Sequence, residues 1–174
     1  MKIILETERL ILRPFELSDA ESMFNNWAND DEVTKYVTWN THKSIEETKH
    51  VLSIWVNEYE KEERINFAIV YKENNELIGG IDVVGYFENV PVIGYNLSRK
   101  YWNKGIMTEA CKRVIELLFS LNYDKIIVEA LVENIGSNRV IQKCGGVYQT
   151  TYNQFITKKE KEVTINKYII EKRK

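Results

Sequence analysis

A short turn between a predicted strand and a predicted helix is the first stretch of this sequence that could do chemistry. Residues 102–108 read Trp-Asn-Lys-Gly-Ile-Met-Thr, with one glycine, Gly105, and one cation, Lys104. The first turn of a helix carries backbone N–H groups with no partner inside the helix, and the helix dipole adds partial positive charge there. A turn that directs these groups to one point can hold a pyrophosphate. The same pattern is also typical of an ordinary strand–helix connection.

The better-known phosphate loops do not explain this turn. Lys104 precedes Gly105, whereas a G-x-x-x-x-G-K-[ST] loop needs the lysine after the glycine. The G-x-G-x-x-G fingerprint of dinucleotide-binding folds does not occur either.

Two carboxylates occupy unusual places and could accept a proton. Asp82 interrupts an otherwise apolar predicted strand, and Glu129 lies in the strand that precedes Asn134. Surroundings that move a carboxyl pKa toward neutrality favour a role as general base. Each residue could equally be an outward-facing strand residue, so the base stays unassigned. His42 and His50 are expected at the surface of a helical segment.

The elements that must position these residues follow from the spacing of apolar side chains. Spacing by three and four predicts helices near residues 18–27 and 45–61, after the 102–108 turn, and from 134 to the glycines at 145–146. Strands are predicted near residues 9–13, 66–71, 77–84, 92–97 and 125–132, with a closing hairpin at 147–156 and 162–170. The acidic run 29–32 is expected to be a loop. The order β-α-α-β-β-β-α-β-α-β-β predicts one α/β domain with a mixed (α+β) sheet over residues 1–174.

Composition limits the classes of protein that this chain can be. With 174 residues, 44% of them hydrophobic, it can build a core without metal or disulfide support. A net charge of −2 argues against general affinity for nucleic acid or an anionic membrane. The apolar start is too short for a signal sequence, and no run approaches the ~18 apolar residues of a membrane span. Cys111 and Cys144 are expected to be reduced thiols, and the protein is expected in the cytoplasm.

Three segments, taken with the order of elements, resemble the GNAT N-acetyltransferases, in particular the branch of the ribosomal-protein-alanine N-acetyltransferases. The first is Thr7–Pro14 (TERLILRP), followed by Asp19 and by the run 31–36 (DEVTKY). The second is 101–110 (YWNKGIMTEA), and the third is 134–145 (NIGSNRVIQKCG). They span nearly the whole chain in the order and at the separations of that family.

The resemblance implies an enzyme that moves an acetyl group from acetyl-CoA, as co-substrate, to a primary amine by direct attack in a ternary complex, without a metal. It also implies a central strand that splays from its neighbour and leaves room for pantetheine. The residues implied to bind the cofactor are Asn96, Leu97, Ser98, Trp102, Asn103, Lys104, Gly105, Ile106, Met107, Thr108 and Asn134. Ser137 is implied as the acid for the leaving thiolate, and Asn134 as a contact to cofactor or water. Asn134 could equally be a helix cap, and Ser137 a solvent-facing serine of a first helical turn.

This sequence departs from the family pattern at three positions. Asn103 stands where glycine is usual, although asparagine tolerates positive φ better than most residues. Met107 replaces a small residue and is expected to reshape the approach of the cofactor. Ile141 occupies the position of a tyrosine acid found in distant members and cannot donate a proton, so Ser137 or water must substitute.

The acceptor is expected to contact Tyr36 and Trp39, which could instead belong to the core. The leading interpretation is a protein or peptide N-terminal α-amine. The alternatives are a small amine (a polyamine, amino sugar or antibiotic) and a non-catalytic acyl-CoA sensor. The assembly state is left open, a homodimer included.

Overall fold

The computed structural model describes residues 3–61 and 64–173, and within them it contains eight strands and five α-helices. The strands are β1 Leu5–Glu6, β2 Leu10–Arg13, β3 Asn66–Tyr71, β4 Glu76–Phe87, β5 Val90–Leu97, β6 Lys125–Leu131, β7 Val147–Ile156 and β8 Lys161–Glu171. The helices are α1 Ala20–Met23, α2 Asp31–Thr34, α3 Ile45–Lys61, α4 Ile106–Ser120 and α5 Ile135–Lys143. The predicted mixed α/β fold is confirmed, with β1 and α2 added to the predicted order.

The chain divides into two compact units. The first contains Met1–Asp82 and Tyr95–Trp102, and the second contains Val83–Gly94 and Asn103–Lys174. Strands β4 and β5 each pass from one unit into the other, because their unit boundaries fall inside the strands. The single domain expected over residues 1–174 stays a prediction.

The sheet of the first unit is antiparallel, with β1, β2, β3 and β4 in that order. Ser98, just after β5, donates its N–H to the Ile78 carbonyl of β4 at 2.7 Å, so the end of β5 lies beside β4. β3 reads Asn-Phe-Ala-Ile-Val-Tyr and is buried along almost its whole length, as expected of a strand covered on both faces. Phe15, Trp27 and Leu52 build the hydrophobic core of this unit with residues of β3 and β4.

The helical segment after β2 is irregular. A 3₁₀ turn at Leu17–Asp19 leads into α1, and a π-helical turn follows at Phe24–Ala28. Residues 29–32, expected to be a loop, instead lead into α2: Asp30 caps this helix by accepting a hydrogen bond from the Glu32 N–H at 3.0 Å. The prediction was wrong here because the cap and Asp31 supply the start of a one-turn helix.

In the second unit, the last part of β4 and the first part of β5 are joined by Glu88 and Asn89. Both residues have positive φ, 49° and 66°, the combination of a type I′ hairpin turn. β5 runs parallel to β6 through two residue pairs, Val92 with Ile127 and Ile93 with Val128. β6, β8 and β7 follow in that order and are antiparallel.

Candidate functional site

The predicted phosphate turn in the second unit has the backbone that its sequence requires. Asn103 and Gly105 both adopt left-handed conformations, with φ of 59° and 73°. The asparagine substitution therefore keeps the conformation that glycine would allow. The first bond of α4 joins the Glu109 N–H to the Gly105 carbonyl at 3.1 Å. The N–H groups of residues 106–108 thus precede the hydrogen-bonding ladder of the helix, where an anion can meet them.

The side chains of this turn divide between surface and core. Asn103, Lys104 and Gly105 are exposed, and Ile106 and Met107 are buried. Because the Met107 side chain belongs to the core, its backbone N–H is the group that remains for a ligand. The predicted reshaping of the cofactor's approach by this side chain stays a prediction.

At the end of β5, in the first unit, successive residues face opposite sides of the strand. The Ser98 N–H donates to Ile78 of β4, so by alternation Asn96 also directs its backbone toward β4 and Leu97 directs its backbone away. The Leu97 carbonyl accepts a 2.8 Å hydrogen bond from Nε1 of Trp102. Of the three predicted residues, Leu97 therefore has the N–H best placed to meet a ligand. The buried Oδ1 of Asn96 has no hydrogen-bond partner within residues 3–61 and 64–173.

The start of α5 in the second unit is built around two asparagines. Asn134 caps the helix, since its Oδ1 accepts the Ser137 N–H at 3.1 Å, so the helix-cap interpretation is confirmed. Asn138 is buried and donates from Nδ2 to the carbonyls of Leu131, at 2.9 Å, and of Asn134, at 2.8 Å. Its Oδ1 accepts hydrogen bonds from Asn166 at 3.0 Å and from the Tyr168 hydroxyl at 2.7 Å, both on β8. One amide thus joins the end of β6, the cap of α5 and β8.

Asp82, on β4 in the first unit, lies in a polar cluster beside α3. Its Oδ2 pairs with Nη2 of Arg64 at 3.4 Å, and Arg64 also pairs with Glu58 and lies over the Trp55 ring, 5.5 Å from its centroid. Burial raises the pKa of the Asp82 carboxyl from 3.8 to about 6, although the Arg64 charge lowers it. About a fifth of the side chain, 20%, stays exposed. A carboxylate of this kind can accept protons near neutral pH.

Glu129, the other predicted base, lies on β6 in the second unit. The Tyr152 hydroxyl of β7 donates a hydrogen bond to its Oε1 at 2.9 Å. Burial, together with this carboxylate, raises the pKa of Tyr152 to about 12, so the phenol stays protonated and keeps donating.

The predicted acceptor residues lie between α2 and α3 in the first unit. Trp39 is half-buried against the core cluster of Phe15, Trp27 and Leu52, and its ring lies 5.3 Å from that of His42. Tyr36 is half-buried below Lys35, whose Nζ lies 5.1 Å from the ring centroid. His50 is exposed as expected. His42 is not on the surface: it is half-buried and hydrogen-bonded through Nδ1 to Thr48 at 2.7 Å, and burial lowers its pKa.

Cys111 and Cys144 lie together in the second unit. Cys111 is buried in α4, and Cys144, just after α5, is half-buried, with its Sγ 3.7 Å from the Thr108 carbonyl oxygen. A hydrogen bond from the Cys111 thiol lowers the pKa of Cys144, whereas burial raises the pKa of Cys111.

Several residues of these clusters were not predicted from the sequence. Arg64 and Asn66 are two residues apart on a path into β3, a spacing that brings side chains to one face of a strand. Asn138 follows Asn134 by one helical turn, a spacing that places both near the start of α5. Tyr152 carries no signal in the sequence, because its partner Glu129 is 23 residues away.

No group of three or more His, Cys, Asp or Glu side chains that could hold a metal ion is found in residues 3–61 and 64–173. In the same part of the chain, no helix is long and apolar enough to cross a membrane.

Known proteins are similar to this chain in sequence. The family model described as Acetyltransferase (GNAT) domain matches residues 9–147. The protein p20 of Bacillus licheniformis, described as an uncharacterized N-acetyltransferase, is 34% identical over 141 residues, which cover 79% of this chain and 78% of p20. YoaA of Bacillus subtilis, described in the same words, is 30% identical over 172 residues, covering 97% of each chain.

Solved structures show the same fold. A GNAT-family acetyltransferase from Bacillus anthracis superposes with a TM-score of 0.83 at 27% identity, covering 97% of this chain and 98% of that one. RimL, described as a ribosomal L7/L12 α-N-protein acetyltransferase in complex with coenzyme A, gives a TM-score of 0.84 at 16% identity, covering 97% and 98%.

Proposed function

Because the chain belongs to the GNAT acetyltransferase family, it is an acyl-CoA-dependent N-acetyltransferase, and we propose that its acceptor is the α-amine of a peptide or protein N-terminus. The observation that carries this proposal is the Asp82 carboxylate. It is partly exposed, it pairs with Arg64, and burial raises its pKa to about 6. An ammonium group cannot attack a thioester, so the acceptor must first lose a proton.

The pKa of the acceptor decides which amines suit such a base. An α-amino group has a pKa of about 8 and a lysine-like alkylamine about 10.4. Transfer of a proton to a carboxylate that titrates at about 6 is therefore uphill by roughly 3 kcal/mol for the α-amine and roughly 6 kcal/mol for the alkylamine, at about 1.4 kcal/mol per pH unit. The difference between the two transfers, roughly 3 kcal/mol, comes from the amines themselves, so a carboxylate base deprotonates an α-amine more readily than a polyamine or a lysine side chain.

The residues present fit acetyl-CoA as the co-substrate. The turn 103–108 has two left-handed residues and exposed backbone before a helix start, which suits a pyrophosphate. The buried and unpartnered Oδ1 of Asn96 suits an amide N–H of pantetheine. When bound, acetyl-CoA supplies the acetyl group as an activated thioester.

The chain's own groups have separate roles in this proposal. In the first unit, Asp82 takes the proton of the α-ammonium group, directly or through one water, and the Leu97 N–H orients the thioester carbonyl. In the second unit, the N–H groups of residues 106–108 hold the pyrophosphate, and Ser137 gives a proton to the leaving sulfur and takes one in return from solvent water. Ser137 is half-buried in the first turn of α5. Ile141 is buried in the core and is unable to supply a proton.

An amine panel tests the proposal. The purified protein is given acetyl-CoA and one of four acceptors: a peptide with a free N-terminus, the same peptide blocked at its N-terminus but carrying a lysine, spermidine or glucosamine. Release of CoA thiol measures turnover, and mass spectrometry locates the added acetyl group. Acetylation of the free N-terminus, with little turnover of the blocked peptide, supports the proposal.

The other outcomes separate the alternatives. Turnover confined to spermidine or glucosamine overturns the peptide acceptor and leaves the N-acetyltransferase activity intact. Tight binding of acetyl-CoA without CoA release toward any amine would identify an acyl-CoA sensor.

A further inference from the structure

Asn66 and Asp82 lie directly opposite one another on neighbouring strands. They are register partners in the antiparallel pairing of β3 with β4. Side chains in such positions lie on the same face of the sheet, with Cβ atoms about 4.5 to 5.5 Å apart. The Asn66 carboxamide therefore lies on the same face of the sheet as the Asp82 carboxylate, directly opposite it on β3.

The Asn66 side chain is buried, with 3% of the residue exposed, and its Nδ2 has no hydrogen-bond partner in the described part of the chain. A buried donor without a partner costs about 1 to 3 kcal/mol, so native structures seldom retain one without a reason. The backbone of the same residue is satisfied, because the Tyr59 hydroxyl donates to the Asn66 carbonyl at 3.2 Å. The unpaired group is thus confined to the carboxamide.

The Asp82 carboxylate is fixed from one side. Its Oδ2 meets Arg64, whose guanidinium is itself held by Glu58 and stacked on Trp55. A fixed carboxylate and an unpaired amide donor at paired positions of neighbouring strands offer two complementary contacts. An α-aminoacyl group presents the matching pair, an ammonium group and a carbonyl oxygen on adjacent carbons.

We propose that Asn66 is a specificity-determining residue that donates from Nδ2 to the carbonyl oxygen of the acceptor's first residue while Asp82 receives its amine. This inference rests on the proposed function, since it assigns the acceptor amine to Asp82. An alkylamine has no carbonyl at that place and leaves the buried donor unpaired. A site built to hydrogen-bond a substrate group discriminates against analogues that lack it.

The test compares two acceptors that differ in this carbonyl, alaninamide and 2-aminopropane, with acetyl-CoA as donor. The ratio of their kcat/KM values is measured for the wild type, Asn66→Ala and Asn66→Ser. Comparing that ratio between variants cancels the different basicities of the two amines. Loss of the hydrogen bond is expected to reduce the ratio about tenfold in both variants.

Tyr59→Phe is the matched control. It removes the hydroxyl that supports the Asn66 backbone and leaves the carboxamide in place, so the ratio should stay at its wild-type value. A ratio that falls equally in Tyr59→Phe, or that is unchanged in the Asn66 variants while both amines are acetylated, overturns the role of Asn66 but not the proposed function. Turnover of 2-aminopropane without any of alaninamide overturns both.

The wild type gives an answer even where the Asn66 variants fail to fold. Expressed per unprotonated amine, its kcat/KM should be at least about tenfold higher for alaninamide than for 2-aminopropane. Equal values overturn the inference.

Discussion

The hydroxyl of Tyr168 on β8 donates a 2.7 Å hydrogen bond to Oδ1 of Asn138 on α5, and both residues are buried. This bond and the one from Asn166 hold the amide so that its Nδ2 reaches the carbonyls of Leu131 and Asn134. The start of α5, with Ser137, is therefore fixed to β6 and β8 by one side chain.

Asn138→Ala should destabilise the protein by roughly 3 kcal/mol, because it leaves the buried Tyr168 donor, the half-buried Asn166 donor and two carbonyl acceptors without their partner. Tyr168→Phe removes one donor of the four bonds and should cost about 1 kcal/mol. Urea unfolding with tryptophan fluorescence measures both. Equal costs for the two variants would contradict the central place of Asn138.

Gly105→Val should weaken acetyl-CoA binding and also lower stability. The left-handed backbone at φ 73° costs an L-residue about 1 to 2 kcal/mol, and a side chain would crowd an anion at the helix start. Gly145→Val is the matched control, since Gly145 has φ 88° and open space around it after α5. Calorimetric titration with acetyl-CoA should show weaker binding in the first variant alone, and comparable weakening in both would argue against the placement of the pyrophosphate.

The activity should depend on pH through Asp82. Its carboxyl must be ionised to accept a proton, and burial raises its pKa to about 6. For a peptide acceptor, kcat/KM should therefore fall as pH drops below about 6. Asp82→Asn should lose this limb of the profile and reduce kcat/KM by about 10² to 10⁴. If Glu129→Gln removes the limb and Asp82→Asn keeps it, Glu129 is the base.

Asp19→Ala should be among the most destabilising changes in the first unit. Asp19 is buried and accepts two hydrogen bonds from Arg13, at 2.7 and 2.8 Å, and a third from the Glu16 N–H at 2.8 Å. Removing one partner of a fully buried pair costs about 3 to 5 kcal/mol, and because the Arg13 side chain is 26% exposed the expected cost is about 3 kcal/mol. Arg13→Lys keeps the charge but loses the two-pronged geometry and should cost less. Thermal unfolding followed by circular dichroism ranks the two, and the reverse order would contradict this view of the pair.

The sequence predicts the elements whose pattern is local. α3, α4 and the strands from β3 to β8 have the spacing of apolar residues that their structures require, and the left-handed backbone at Asn103 agrees with the tolerance of asparagine for positive φ. β1 and α2 escape such reasoning because a two-residue strand and a one-turn helix depend on their surroundings: β1 exists through its pairing with Leu12 and Ile11.

The polar clusters depend on register and on distant chain segments. The pairing of Asn66 with Asp82 is set by a strand pair whose register shifts between Ile69 and Val70. A register shift of one residue moves every side chain of a strand to the other face of the sheet. The pairing of Asn66 with Asp82 therefore cannot be predicted from the sequence alone. Arg64 contacts Asp82, which lies 18 residues later in the sequence, and no local sequence pattern predicts that contact.

The chain has two cysteines. Cys111 is buried inside α4, and Cys144 is half-buried just after α5. A maleimide fluorophore will therefore attach to the wild-type protein at one sulfur, with no engineered position. That sulfur lies 3.7 Å from the Thr108 carbonyl oxygen, next to the first turn of α4. A fluorophore on Cys144 of the unmodified protein can therefore report ligand binding at the first turn of α4.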